Sequence, residues 1–339
     1  MKRILLSMAA MLVGLTVMAQ PKIPRLAAED TEKIMSAKYW EYWNEEAQAR
    51  IDADIEKNRK GDATFQVGKI KGGTQVHIEQ ITSDFGFGAS AFNWDQLGKK
   101  EYNDIYKNTF GTLFNRATVA FYWRELELQE GHKRFLAEEW DTEEWWNNCE
   151  KPETEWHWRR PSTDQIVEFC ESKGLRMHGH VLVWGNRKWQ MPYWYKNLMS
   201  EEERASFQRY FPNKPNRWAS KDVISKEWTY MSFDESAAAF STFVKNLDTA
   251  LENRIKQIAE HYKGRLHSYD VVNESAEDMK SDLIPENHAV ARSRYGVMNG
   301  DYPYKSLKWA EKYFPKEVAL NINDYHKRPT YTEQTNRLL

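Results

Sequence analysis

Apolar strand patterns alternate with helical patterns over residues 85–325, and this alternation constrains the fold more than any other feature of the chain. Five segments have the composition of strands: residues 85–92, 112–123, 175–184, 265–274 and 317–325. Three amphipathic segments between them have the pattern of helices: residues 162–174, 236–264 and 306–314. Strands separated by helices pair in parallel, so the sequence predicts either an open doubly wound sheet or a (β/α) barrel.

The residues at the strand ends favour the barrel. Several of the predicted strands end in polar or aromatic residues: Trp123, Trp184, Asn273-Glu274 and Asn323-Asp324. A barrel collects its functional side chains at this C-terminal rim. No glycine-rich phosphate loop follows the first strand, and the long aromatic loops 124–161 and 185–235 are typical of functional loops. We therefore predict an α/β fold of the (β/α)8 TIM-barrel type, with about the first five βα units present in residues 81–339.

Residues 1–19 have the pattern of a secretory signal peptide. Lys2 and Arg3 precede an apolar run from Ile4 to Val17, and a plausible cleavage site lies before Gln20. The apolar run is shorter than the roughly 20 residues that a membrane span needs. We therefore expect an exported protein (periplasmic, cell-surface or secreted) without a membrane span.

Residues 20–80 form a predicted extension ahead of the barrel. Residues 30–59 have a helical pattern, with Ile51 and Ile55 on one side. Apolar and polar residues then alternate around Lys71-Gly72-Gly73, which predicts a small β-hairpin.

Charge and cysteine content exclude several classes of partner. The net charge of −2, with no basic block, argues against nucleic acid and anionic membrane surfaces as partners. The two cysteines, Cys149 and Cys170, are too few for a disulfide framework or a structural zinc site of the usual spacing, and whether they pair stays open. We predict no metal and no cofactor.

Tryptophan is unusually frequent, with 15 in the chain. Several lie in the polar stretch "EEWWNNCEKPETEWHWRRP", which is too polar for a core helix. Sugar rings present C–H faces that stack on aromatic side chains, so this distribution suggests a glycan ligand.

Glu274 follows the fourth predicted strand, where a barrel would place it at the mouth of the site. A carboxyl group in a sugar cleft can serve as the general acid that protonates a glycosidic oxygen. The neighbouring Asn273 could form a hydrogen bond with a sugar 2-hydroxyl, a contact that strengthens in the transition state. Taken alone, however, this dipeptide is more typical of a polar strand end.

His178 and His180 are alternate residues of the third strand and so lie on the same side of it. A pair of this kind could bind a metal ion. It lies in the body of the strand, and no later partner has suitable spacing, which favours a structural His178 and a His180 that bonds a sugar hydroxyl.

Four motifs in this order resemble glycoside hydrolase family 10, the endo-1,4-β-xylanase family: "FNRATVAFYWRELELQEG", "MHGHVLVW", "YDVVNE" and "LNINDY". The resemblance covers about residues 85–325. It implies a (β/α)8 barrel that hydrolyses xylan with retention of configuration through two glutamates. A β-1,4-linked plant polysaccharide is then the expected substrate.

The resemblance also implies roles for individual residues. Glu274 matches the acid/base of the family, and Asn273 matches the residue that contacts the 2-hydroxyl. The other residues expected to bind substrate are His180, Trp184, Trp123, Asn323, Asp324 and Tyr325.

Departures from the family pattern affect what we expect of this chain. The nucleophilic glutamate of the family lies in a "TELD"-like segment, which does not occur here. The 339 residues alone are therefore expected not to perform the two-carboxylate reaction. In addition, "TVAFYW" stands where the family has "TPENxMKW", so Ala120, Phe121 and Tyr122 replace charged and amide groups that bind sugar.

Two alternatives stay open from sequence. The first is a carbohydrate-binding pseudoenzyme that keeps the aromatic cleft without turnover. The second is a metal-dependent hydrolase that uses His178 and His180.

Overall fold

The computed structural model describes residues 44–66, 68–79, 81, 84–148, 161–212, 224–276, 288–293, 296–325, 329, 332 and 334–336. The chain divides into two compact units, residues 1–79 and residues 80–339. The predicted signal peptide and the first part of the predicted N-terminal helix lie outside the described residues.

The described part of the first unit contains helix α1 (Glu45–Arg59). The Asn44 side chain caps it by accepting a hydrogen bond from the Ala47 N–H at 2.8 Å, and no residue of the helix is buried. The turn of the predicted hairpin is present, and in it the Thr74 N–H donates to the Lys71 carbonyl at 3.2 Å. The two predicted strands of the hairpin do not form within the described residues 60–66 and 68–79. The strand prediction is therefore wrong there, because these residues are exposed and an isolated hairpin without a packed face is marginally stable.

The described part of the second unit contains seven strands: β1 (Gly88–Ser90), β2 (Arg116–Ala120), β3 (Arg176–Trp184), β4 (Ser268–Asn273), β5 (Val290–Ser293), β6 (Gly296–Asn299) and β7 (Ala319–Asn323). Five of them form one parallel sheet in the order β1-β2-β3-β4-β7. Each of these five lies inside one of the predicted strand segments. The prediction of a partial, TIM-barrel-type α/β fold is confirmed.

Helices alternate with the strands of this sheet: α2 (Lys100–Leu113), α3 (Trp123–Leu126), α4 (Glu143–Asn148), α5 (Thr163–Ser172), α6 (Glu201–Tyr210), α7 (Lys226–Tyr230), α8 (Phe233–Ala239), α9 (Ser241–Tyr262) and α10 (Tyr302–Tyr313). A 3₁₀ turn covers Tyr195–Leu198. The predicted apolar face of α9 is buried, and this helix ends at Lys263, which has a left-handed φ of 40°. None of the helices in the described ranges is both long and apolar enough to cross a bilayer.

The regions predicted as long loops are partly helical. Helices α3 and α4 lie in the first region, and α6 and α7 lie in the second. Helix α6 begins with a capping box, in which Ser200 accepts from the Glu203 N–H and the Glu203 carboxylate accepts from the Ser200 N–H. The predicted long loops therefore contain short helices, which local capping and buried aromatic residues such as Phe207 stabilise. The antiparallel pair of β5 and β6 was not predicted either.

The core lies between the sheet and the helices, and one glycine is essential to its packing. A Cβ atom at Gly179 would lie 2.3 Å from the ring of Tyr269 on the next strand, so only glycine fits between His178 and His180. Tyr269 in turn packs edge-to-face against Phe121, with ring centroids 5.4 Å apart. The small residue of the "HGH" motif therefore serves the core, on the strand face opposite to the histidines.

Cys170 lies in this core with a free thiol. Burial raises its pKa to about 12, which makes the thiolate form scarce at neutral pH. Cys149, the second cysteine, lies outside the described residues.

Candidate active site

Three predicted site residues lie side by side at the C-terminal ends of neighbouring strands. The register of the sheet pairs Trp184 of β3 with Asn273 of β4, and Asn273 with Asn323 of β7. Because the strands are parallel, these residues share one rim, the position that a barrel uses for its site.

Asn273 is held by a side-chain hydrogen bond across the two strands. Asn323 Nδ2 donates to Asn273 Oδ1 at 2.7 Å, and Asn273 is only 3% exposed. With its oxygen accepting this bond, the carboxamide presents its Nδ2 group as a donor. That orientation suits a hydrogen bond to a hydroxyl oxygen of a ligand.

Glu274 follows in a left-handed backbone conformation, with φ of 54°. A non-glycine residue rarely adopts this conformation, and such residues concentrate where function needs a fixed turn. The Glu274 N–H donates to the Asn323 carbonyl at 2.8 Å, which anchors the turn to β7. The Glu274 side chain is half-buried at this rim.

Asp324 fixes the far side of the same turn. Its Oδ2 accepts from the Ala276 N–H at 2.7 Å, and its Oδ1 accepts from the Tyr325 N–H at 2.8 Å. Both carboxylate oxygens are therefore engaged by the backbone, and Asp324 acts on the site by holding the Glu274 turn. Tyr325 is 70% exposed beside it.

His180 and His178 share one carboxylate, that of Asp270. His180 Nδ1 lies 2.8 Å and His178 Nε2 lies 3.0 Å from Asp270 Oδ2, while His178 Nδ1 lies 2.8 Å from Ser268 Oγ. Burial alone would raise the pKa of Asp270, but hydrogen bonds from the two histidines lower it to about 2. The carboxylate therefore stays charged and fixes the orientation of both rings.

This network predicts a stability effect with a defined pH dependence. Asp270→Asn should lower the free energy of unfolding at pH 7 by about 2 kcal/mol, since a shift from 3.8 to about 2 corresponds to that energy. Because the folded state has the lower pKa, the contribution is present above about pH 4 and is lost as pH falls toward 2. Urea denaturation of both proteins between about pH 7 and pH 2.5 measures this. The difference between them should shrink at low pH.

Asp104→Asn is the matched control. Asp104 pairs with Lys100 on the surface, where an ion pair contributes less than about 1 kcal/mol. If Asp270→Asn and Asp104→Asn have equal effects at every pH, the shared carboxylate does not stabilise the fold as we describe.

The His178–His180 pair is not part of a metal-binding cluster within the described ranges. No group of three His, Cys, Asp or Glu side chains there is arranged to hold a metal ion. Each of the two histidines instead uses one ring nitrogen to bond Asp270.

Aromatic rings surround His180 on the side of β2. The Tyr122 ring meets the His180 ring edge-on at 5.7 Å and lies 6.3 Å from the Trp184 ring, and Phe92 stacks at 6.4 Å from His180. Trp184 itself is 9% exposed. Within the divergent "AFYW" stretch, Tyr122 is thus the residue that reaches the predicted site residues.

Trp123 is not placed at this site. It is 1% exposed, its Nε1 donates to Glu127 Oε2 at 2.8 Å, and its ring packs edge-on against Trp194 at 5.6 Å. The predicted strand ends at Ala120, and Trp123 begins helix α3, which turns the ring into the core. The expected sugar contact of Trp123 is therefore not supported by its position.

Arg254 of α9 ties the C-terminal ends of β2 and β3 together beneath the rim. Its guanidinium is fully buried and donates to the carbonyls of Leu182 (2.9 Å), Val181 (3.4 Å) and Phe121. Burial lowers its pKa, and the nearby Glu127 carboxylate opposes that shift.

Sequence reasoning missed Asp270 and Arg254. Asp270 had a signal, because a carboxylate inside the apolar run "YDVV" must find a partner, and the alternate histidines of the preceding strand offer one. Arg254 also had one, since an arginine on the buried face of an amphipathic helix needs acceptors. Tyr122 was singled out from sequence, as part of the "TVAFYW" stretch in which aromatic residues replace polar sugar-binding groups.

Comparison with known proteins gives one consistent result. Residues 78–339 match the model of glycosyl hydrolase family 10. Endo-1,4-β-xylanase A of Halalkalibacterium halodurans is 28% identical over 210 residues, which are 60% of this chain and 41% of that protein. A putative endo-1,4-β-xylanase of Caldicellulosiruptor saccharolyticus is 29% identical over 164 residues, 47% of this chain and 39% of that protein.

Among solved structures, xylanase 10B from Thermotoga petrophila RKU-1 in complex with xylobiose is similar, with a TM-score of 0.42 and 20% identity. The match covers 75% of this chain and 54% of that one. The matched region thus spans about two fifths of the length of the two curated relatives and about half of the solved structure.

Proposed function

Because the chain belongs to glycosyl hydrolase family 10, we propose that it is an exported, retaining glycoside hydrolase that acts on a β-1,4-linked plant polysaccharide, xylan by the family default. The observation that carries this proposal is the Asn273-Glu274 turn at the end of β4, bonded to Asn323 on one side and Asp324 on the other. Export rests on the pattern of residues 1–19.

In the proposed reaction Glu274 acts twice. It first donates its proton to the glycosidic oxygen while a second carboxylate attacks the anomeric carbon and forms a glycosyl-enzyme. It then takes a proton from the water that attacks the same carbon and releases the second carboxylate. Asn273 would donate from Nδ2 to the 2-hydroxyl of the sugar undergoing attack. His180 and Trp184 would line the same sugar.

These 339 residues are proposed to lack the second carboxylate, because they contain no "TELD"-like segment. The short coverage of the relatives is consistent with it.

Xylan hydrolysis by the full-length protein and by the 339-residue chain tests the proposal. Proton NMR should show that the full-length protein releases the β-anomer first, whereas the 339-residue chain alone should release no sugar. Xylan hydrolysis by the 339-residue chain would contradict the proposed absence of the nucleophile from these residues. Initial release of the α-anomer would contradict the retaining mechanism.

One observation favours a second candidate, the carbohydrate-binding pseudoenzyme. Phe121 and Tyr122 stand where the family has polar sugar-binding groups, and Tyr122 packs against His180 and Trp184. Xylan binding without hydrolysis by the full-length protein would support this candidate.

Hydrolysis that a chelator abolishes would instead support the metal-dependent alternative.

A further inference from the structure

A cavity of about 630 Å³ lies between the loop that follows β2 and the loop that follows β3. This size falls within the range of small-molecule sites, roughly 300–1,000 Å³. Its walls include two large aromatic residues, Trp140 from the first loop and Tyr193 from the second, together with the polar residues Gln129, His132 and Glu138. Aromatic faces beside hydrogen-bonding groups are what a sugar ring requires.

The Tyr193 ring is held in place although it is 53% exposed. The Arg124 guanidinium lies 4.7 Å from its centroid. Arg124 in turn donates to the carbonyls of Met191 at 3.1 Å and Arg187 at 2.6 Å. An exposed aromatic ring supported from one side by an anchored cation loses little conformational entropy when a ligand stacks on it.

Trp140 is held by a second arginine. The Arg134 guanidinium lies 4.3 Å from the Trp140 ring and pairs at 2.9 Å with Asp141, and both charged side chains are buried. Trp140 Nε1 also donates to Glu138 Oε2 at 3.0 Å. The cavity wall is therefore a packed structure with its own buried ion pair, and its two aromatic rings are preorganised.

The charges around the cavity favour a neutral ligand. Arg134 already pairs with Asp141, and Glu138 bonds both Trp140 and His132, the latter at 2.8 Å. No charge of either sign dominates the lining, so an acidic sugar gains no strong ionic contact. The groups that line the cavity can exchange hydrogen bonds with hydroxyl groups.

The two loops that line the cavity both begin at the rim of the candidate site. Both loops leave the sheet at the C-terminal ends of β2 and β3, the rim that carries Asn273 and Glu274. They are joined to each other, since Trp194 Nε1 donates to the Glu127 carbonyl at 2.9 Å and Asn197 Nδ2 donates to Glu130 at 3.0 Å. The cavity is therefore formed by two loops that begin at the rim and are bonded to each other.

We propose that this cavity is a distal binding subsite for a pyranose ring of a neutral β-linked polysaccharide, with Tyr193 and Trp140 as its stacking residues. The inference rests on the proposed function for the identity of the polysaccharide. It does not depend on catalysis, because it concerns affinity alone.

Titration calorimetry with xylotriose and xylohexaose tests the subsite. Tyr193→Ala should weaken the binding of xylohexaose by roughly fivefold to fiftyfold, the range for truncating one aromatic contact, and should leave xylotriose nearly unaffected. Tyr193→Phe, which keeps the ring, should bind as the wild type does. Tyr230→Ala is the matched control, because Tyr230 is 83% exposed and lies in α7, outside the cavity lining.

Wild-type binding of xylohexaose that Tyr193→Ala does not change would overturn the subsite and leave the proposed function intact. Failure of the wild type to bind xylohexaose more tightly than xylotriose would overturn it as well. Conversely, weaker binding by Tyr193→Ala in a protein that never hydrolyses xylan would support the subsite and reject the proposed hydrolase.

Discussion

Glu274→Gln in the full-length protein should lower kcat on xylan by roughly 10²- to 10⁴-fold, the contribution of a positioned general acid. The glutamine side chain is of similar size and can still form hydrogen bonds, but it has no acidic proton to transfer to the glycosidic oxygen. KM should change little, since sugar binding rests on neighbouring groups such as Asn273. Steady-state kinetics on xylan and on aryl xylobiosides measures the effect.

The leaving group separates loss of acid catalysis from damage to the site. An aryl glycoside with an activated leaving group needs little protonation, so its first step should be nearly unaffected by Glu274→Gln. Glu317→Gln is the control, because Glu317 is exposed just before β7, at the opposite end of the strand from Asn323. Equal losses on activated and poor leaving groups would show that Glu274 is not the acid.

Arg254→Met should lower the free energy of unfolding by about 3–5 kcal/mol. The substitution removes the donors for the carbonyls of Phe121 and Leu182, and each buried acceptor left without a partner costs about 1–3 kcal/mol. Burial of the charged guanidinium is itself unfavourable, as its lowered pKa indicates. Its removal therefore offsets part of the loss in the free energy of unfolding. Urea denaturation at pH 7 measures the change.

Lys256→Met, on the same helix but at an exposed position, should change the free energy of unfolding by less than about 1 kcal/mol. Arg254→Lys should fall between the two, because one ammonium group cannot reach all the carbonyls that the guanidinium bridges. An Arg254→Met protein as stable as the wild type would mean that the carbonyls do not depend on Arg254.

The sheet and the rim were predictable because their signals are local. Each strand is a short apolar run with a polar end, and the order of such runs determines a parallel sheet. Asn273, Glu274 and Asn323 follow from this order, since equivalent strand ends meet at one edge.

Trp123 shows where this reasoning fails. From sequence it continues an apolar strand, yet the strand ends at Ala120 and the tryptophan enters the core from a helical turn. Only the tertiary partners Glu127 and Trp194 determine that outcome. The cavity between the loops was equally unpredictable, because Trp140 and Tyr193 are brought together by cation–π contacts and loop–loop bonds that have no sequence pattern.

The hydrogen bonds that hold the Glu274 turn have a consequence for the order in which the chain acquires its structure. Glu274 and Asn273 bond to Asn323, and Ala276 bonds to Asp324, about 50 residues later in the chain. During synthesis, β4 leaves the ribosome well before β7 exists, so the Glu274 turn cannot form while its own strand is being made. The conformational entropy of the intervening chain is lost before these long-range contacts can stabilise the structure. The turn that holds the proposed catalytic glutamate therefore depends on contacts that only the end of β7 supplies.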